Sequence, residues 1–126
     1  MTASARWILA AGGGLIAIAT ITGAFGAHAL RGHLSPERLA VYETAVRYHF
    51  LHALGLLAIG LAANFIDSAP IRASAYLVIA GIVLFSGSIY ALSFGAPRFF
   101  GPITPLGGLC LIAGWLVFAV SVLRAR

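Results

Sequence analysis

The chain has 126 residues, of which 61% are hydrophobic and only 9% are charged, and its mean hydropathy is +1.02. A soluble domain carries about 25% charged residues, so this composition excludes a water-soluble fold, and the length allows one domain. The net charge of +5 comes from eight arginines with no lysine. Because the arginines stand singly at the ends of apolar runs, they indicate anchoring to membrane lipids rather than nucleic-acid binding.

Four apolar runs predict an all-α, integral membrane four-helix bundle. The first run, from Trp7 to Ala27, contains no charge and would be about 31 Å long as a helix, which matches the ~30 Å hydrocarbon layer. It exceeds the apolar core of a signal peptide, so we expect a retained span despite the Ala27-His28-Ala29 pattern. The predicted helices are residues 7–30, 36–66, 71–94 and 105–124, within a single transmembrane domain of residues 1–126.

The two halves of the chain show a weak internal repeat at an offset of 69 residues. Phe25-Gly26-Ala27 recurs as Phe94-Gly95-Ala96, and Gly12 recurs as Gly81. This pattern suggests two helical hairpins that insert in the same orientation, as in parallel repeats of membrane proteins.

Ser35-Pro36 and Thr104-Pro105 also lie on this offset and predict two helix starts, with the hydroxyl as the cap and proline in the first turn. The second predicted helix is roughly ten residues longer than the hydrocarbon layer requires. We expect this excess, residues 36–47, to protrude from the bilayer or to lie in the interface.

The segment from Glu43 to Leu54, ETAVRYHFLHAL, concentrates polar residues at the start of an apolar span, where they are costly and rarely accidental. Glu43 and Arg47 have the i,i+4 spacing of an ion pair. A helical wheel directs this pair outward and directs His49 and His52 into the bundle. The candidate polar cluster, expected at one end of the bundle, comprises His28, Arg31, Glu43, Arg47, Tyr48, His49 and His52.

The histidines have two interpretations. His28, His49 and His52 could ligate a metal ion, or two of them a haem, because imidazole is a common ligand for both. The alternative, which we favour, is that they bond to backbone carbonyls or to tyrosine hydroxyls of Tyr42, Tyr48 and Tyr90. We therefore expect no metal and no cofactor.

The motifs GAFGAHAL, at 23–30, and ETAVRYHFLHALGLL, at 43–57, resemble a family of small membrane proteins. The bacterial members are known as domain of unknown function 423 or uncharacterised protein family 0382, and the animal relatives as transmembrane protein 256. The resemblance implies four spans and no established activity, and it supplies no catalytic residue. The matching motif positions are Gly23, Phe25, Gly26, His28, Thr44, Ala45, Tyr48, His49 and His52.

Together these features predict a non-enzymatic membrane protein with a structural, assembly or binding role. The alternatives are a small transporter or proton-coupled carrier, and a metal- or haem-binding membrane subunit. Expected partners are membrane lipids and further copies or a larger membrane complex, with no nucleic acid. Four arginines lie at each end of the predicted bundle, so the positive-inside rule favours neither orientation in the membrane. We expect the bacterial cytoplasmic (inner) membrane with both termini in the cytoplasm.

Overall fold

The computed structural model describes residues 1–125 and contains four long helices, which confirms the predicted all-α membrane bundle. Each helix is long and apolar enough to cross a bilayer, and no strand occurs in the described range. A single 3₁₀ turn, Arg98–Phe100, precedes the last helix. The helices are α1 (Ala3–His28), α2 (Pro36–Ala62), α3 (Ala69–Ser93) and α4 (Ile103–Arg124).

Side-chain caps explain where three of the helices begin, and the cap of α3 is Ser68, whose side chain accepts the Ile71 N–H at 3.5 Å. α1 begins four residues before the predicted Trp7 because Thr2 accepts the Ala5 N–H at 3.0 Å, and the same hydroxyl donates to the Ala63 carbonyl at 3.0 Å. α2 begins at Pro36 as predicted, with Ser35 as its cap.

The other predicted boundaries need two corrections. Thr104 lies inside α4 rather than capping it, and its hydroxyl is 2.6 Å from the Ser88 hydroxyl of α3. This side chain therefore joins two helices, and α4 begins without a side-chain cap. α2 ends at Ala62 rather than residue 66 because residues 63–65 form a turn.

Consecutive helices pack against each other, and glycines allow them to approach closely. A Cβ atom on Gly12 would lie 2.7 Å from Leu57 of α2, and one on Gly81 would lie 2.5 Å from Leu111 of α4. Small residues drive helix association in lipid because they bring backbones together.

The two central helices, α2 and α3, each touch a third helix as well. Trp7 of α1 stacks on Tyr76 of α3 with ring centroids 4.8 Å apart, and Trp115 of α4 covers Gly55 of α2. The core consequently runs along both sides of the α2–α3 pair.

Residues related by the 69-residue repeat do not make equivalent contacts between helices. Gly12 and Gly81 correspond on this offset, but Gly12 faces Leu57 whereas Gly81 faces Leu111, which corresponds to Tyr42. The two hairpins thus pair in different registers.

Candidate functional site

A buried polar cluster links α1, α2 and α3 in the half of the bundle where α1 ends and α2 begins. His49 lies at the midpoint of α2, thirteen residues from either end, and is only 3% exposed. Its Nδ1 atom is 3.1 Å from the Tyr90 hydroxyl, which is 3.2 Å from the Thr22 hydroxyl. Tyr42, 2% exposed, donates a hydrogen bond of 2.6 Å to the Thr22 carbonyl. We call Thr22, Tyr42, His49 and Tyr90 the buried cluster.

Small residues around the buried cluster make room for its large rings. A Cβ atom on Gly26 would lie 2.5 Å from the ring of Tyr42, so the tyrosine requires glycine at this position of α1. Ala45 is fully buried, and its carbonyl accepts a 2.8 Å hydrogen bond from Ser86 of α3. Tyr42 and Ser86 thus each have a small neighbour on the facing helix.

One atom of the buried cluster has no hydrogen-bond partner. The Nε2 atom of His49 is buried and makes no hydrogen bond of normal geometry in residues 1–125, although the Leu15 backbone of α1 is near enough to interact with the ring. A buried polar atom without a partner costs about 1–3 kcal/mol.

His52 lies one turn further along α2 and makes different contacts. Its Nδ1 atom is 2.7 Å from the Tyr48 carbonyl, and its ring stacks on that of Tyr48 and lies near Trp115. The expectation that the imidazoles bond to backbone carbonyls or tyrosine hydroxyls is confirmed for His49 and His52. His33, for which no such bond was expected, lies 2.8 Å from the Ala29 carbonyl.

The structure separates the candidate residues along the bundle axis instead of gathering them at one end. His28 and Arg31 are exposed at the end of α1. Val46 faces Gly23 and Leu57 faces Gly12, so His49 and His52 are about 12 and 16 Å deeper than His28. In residues 1–125 no three histidine, cysteine or acidic side chains form a group suited to a metal ion.

Glu43 and Arg47 are exposed on α2, as the helical wheel predicts, but they do not pair. The ion pair found in residues 1–125 joins Arg72 to Asp67 at 2.7 Å, so the expected Glu43–Arg47 pair is wrong within one chain. Exposed i,i+4 pairs contribute only about 0.3–0.5 kcal/mol, which is too little to fix two long side chains. Both side chains therefore remain available for other partners.

An exposed face of α2 surrounds these two charges. Leu51 and Leu54 continue it towards the centre of the bundle and are also exposed. Arg47 follows Val46, which packs on Gly23, inside the uncharged run of α1. Arg47 is thus exposed about 9 Å deeper than His28. We call Glu43, Arg47, Leu51 and Leu54 the α2 outer face.

The sequence did not single out Thr22 or Ser86 as site residues. A lone hydroxyl in an apolar run has no motif, because it can equally bond to its own helix, as Thr20 does to the Ile16 carbonyl. The useful signal would have been position on the helical wheel. Thr22 is near Ala19 and Gly26, the small residues that face α2.

The comparisons with known proteins agree with this architecture. The model of the family described as "Protein of unknown function (DUF423)" matches residues 22–108. A UPF0382 membrane protein of Staphylococcus haemolyticus is 45% identical over 103 residues, which cover 82% of this chain and 84% of the relative. The UPF0382 membrane protein YwdK of Bacillus subtilis is 42% identical over 103 residues, which cover 81% and 84%. No solved structure matches the chain.

Proposed function

The chain belongs to the DUF423 family, and on this premise we propose that it is a non-enzymatic assembly protein of the membrane. It associates with a second copy of itself through the α2 outer face. Its place is the bacterial cytoplasmic membrane, with both termini in the cytoplasm. The family has no assigned activity, so the proposal is based on the surface of the bundle and on the buried cluster.

The observation that carries the proposal is that Glu43 and Arg47 are both exposed, without partners in residues 1–125, on one face of α2. An arginine costs about 2.5–3.5 kcal/mol at the centre of a span and less towards the interface, and arginines inside spans usually face a partner or a cavity. When the Arg47 side chain extends towards the lipid headgroups, this cost falls. The charge of Glu43, one turn nearer the interface, still has no partner. A partner with the opposite charge at each position would neutralise both side chains.

A second copy related by a two-fold axis along the membrane normal supplies such a partner. In this arrangement α2 packs beside α2 of the other copy, and each Glu43 faces the other copy's Arg47. A two-fold interface repeats every contact, so two ion pairs form. Leu51 and Leu54 continue the contact below the charges. The buried cluster supports this role by fixing α2 against α1 and α3, which keeps the outer face rigid.

Charge reversal tests this interface. Glu43→Arg alone, or Arg47→Glu alone, places like charges opposite each other across the two-fold axis, so we expect association to weaken about tenfold or more. The double variant Glu43→Arg/Arg47→Glu restores the pairs in exchanged positions and should recover association. The measurement is resonance energy transfer between labelled copies in proteoliposomes as the protein-to-lipid ratio varies.

Arg31→Glu provides the control, because this arginine is exposed beyond the end of α1 and outside the α2 outer face. It should leave energy transfer unchanged. A wild-type protein that stays monomeric at all ratios, or a double variant as weak as the single ones, would show that this face does not bind a second copy.

The buried cluster favours one other function, a proton-coupled carrier. Thr22, Tyr90 and His49 form a continuous chain of hydrogen-bonding groups that ends at the buried Nε2 atom of His49. Two of these groups, Tyr90 and His49, are titratable, and histidines inside membrane spans occur in proton relays. A carrier of this type should acidify proteoliposomes under an imposed proton gradient, and Tyr90→Phe should abolish the flux, whereas Tyr76→Phe should not. Equal flux through empty liposomes would exclude it.

A further inference from the structure

A lipid-facing groove lies at the end of the bundle where α2 ends and α3 begins. Its volume is about 470 Å³, and it separates the last turns of α4 from the connection between α2 and α3. Ile66 and Pro70 form one wall, and Leu116 and Val120 form the other. The two α4 side chains are exposed, so the groove opens towards the hydrocarbon and not into the bundle.

The groove is mostly apolar, with Ser68 and Ser121 as its uncharged polar residues, and Arg124 makes it cationic at its mouth. Arg124 lies at the mouth and is exposed. From Arg124 to Leu116 is eight residues of helix, or about 12 Å, which reaches from the headgroup level into the hydrocarbon. This is the spacing between the phosphate of a phospholipid and the upper part of its acyl chains.

The charges at this end of the bundle distinguish Arg124 from its neighbour. Arg72 is neutralised by Asp67 at 2.7 Å, whereas Arg124 makes no ion pair within residues 1–125. Arginine binds phosphate oxygens through two parallel hydrogen bonds, and basic pockets beside transmembrane helices are a known recognition site for anionic lipid headgroups. A cation above an apolar groove therefore matches a lipid with a negative headgroup.

We propose that this groove binds one anionic phospholipid, with an acyl chain between Ile66 and Val120 and the phosphate on Arg124. The site lies on the opposite end of the bundle from Glu43, so it is independent of the assembly proposed above. The bound phospholipid belongs to the leaflet on the side of the membrane where both termini lie.

Native mass spectrometry of the full-length protein tests the assignment. The detergent-purified protein is titrated separately with phosphatidylglycerol and with phosphatidylcholine, and the retained lipid is counted. A basic residue near an anionic surface contributes about 1 kcal/mol, so Arg124→Gln should weaken phosphatidylglycerol binding about fivefold. Arg31→Gln, at the other end of the bundle, removes the same charge and should have no effect.

A second pair of variants tests the groove itself. Val120→Trp fills the space between the two walls and should abolish phosphatidylglycerol retention. Val122→Trp adds the same bulk at nearly the same depth of α4, outside the groove lining, and should leave retention unchanged. Both variants are first checked for an unaltered thermal unfolding midpoint, and Val120→Phe replaces Val120→Trp if that protein does not fold.

Three outcomes would overturn the proposal. Equal retention of phosphatidylcholine and phosphatidylglycerol by the wild type would remove the role of charge. Equal losses in Arg124→Gln and Arg31→Gln would indicate attraction to the overall charge instead of a site. Unchanged lipid binding in Val120→Trp together with loss of dimers would assign the groove to a second copy of the chain.

Discussion

Replacing Gly107 with alanine should lower the free energy of unfolding by about 3 kcal/mol, at the upper end of what overpacking costs. A Cβ atom at this position of α4 would lie 2.7 Å from the Leu84 carbonyl carbon and 2.7 Å from the Phe85 Cα atom, and it would overlap the Phe85 nitrogen. All three atoms belong to the backbone of α3, so no side chain can turn aside. The two helices must separate along their contact.

The neighbouring glycine provides a matched control. The nearest atom to a Cβ on Gly108 is in the Phe85 side chain at 3.8 Å, which is ordinary contact. Gly108→Ala should therefore leave stability unchanged or raise it by up to about 1 kcal/mol, the difference in helix propensity. The measurement is denaturation of the detergent-solubilised protein, followed by the fluorescence of Trp7 and Trp115. Equal unfolding energies for the two variants would contradict the close contact between α3 and α4.

The fold could be predicted from the sequence because membrane insertion leaves few alternatives. An apolar run in lipid must satisfy its own backbone hydrogen bonds, so each long run becomes a helix. The start of α4 was less predictable, because Thr104 looks like a local cap in the sequence but its hydroxyl lies within hydrogen-bond distance of the Ser88 hydroxyl on α3. Only the folded bundle brings these two groups together.

The arrangement of the polar residues was only partly predictable. A helical wheel is sufficient to place His49 inside and Glu43 outside, because direction around one helix depends on that helix alone. The depth of a residue along the bundle axis cannot be predicted from one helix, because it depends on the register between helices. The register of α1 with α2 is determined by contacts such as Gly26 with Tyr42, which no local pattern encodes. The expected single cluster therefore separates into charges near the rim and a buried centre.

The composition of that buried centre explains why His49 and His52 should respond differently to mutation. His49 is almost fully buried and is bonded to Tyr90 on another helix, whereas His52 is half-buried and is bonded to the carbonyl of its own helix. Removing His49 leaves a cavity and a tyrosine hydroxyl without its partner. Removing His52 leaves neither.

We therefore expect His49→Ala to lower the free energy of unfolding by about 2–4 kcal/mol, from the cavity and the lost hydrogen bond together. His52→Ala should cost about 1 kcal/mol, the lower end of the range for point mutants. A double-mutant cycle of His49→Ala with Tyr90→Phe isolates the interhelical hydrogen bond. Its coupling energy should be about 0.6–1.7 kcal/mol, as for other hydrogen bonds between helices in membranes.

The cycle also distinguishes packing from hydrogen bonding as the cause of the loss. If His49 acts only by filling space, Tyr90→Phe will have the same effect in both backgrounds and the coupling energy will be zero. If the hydrogen bond orders the helices, Tyr90→Phe will be less damaging once His49 is absent, because its hydroxyl has already lost that partner. Equal unfolding energies for His49→Ala and His52→Ala would contradict both explanations, since they would make burial at the midpoint of α2 irrelevant to stability.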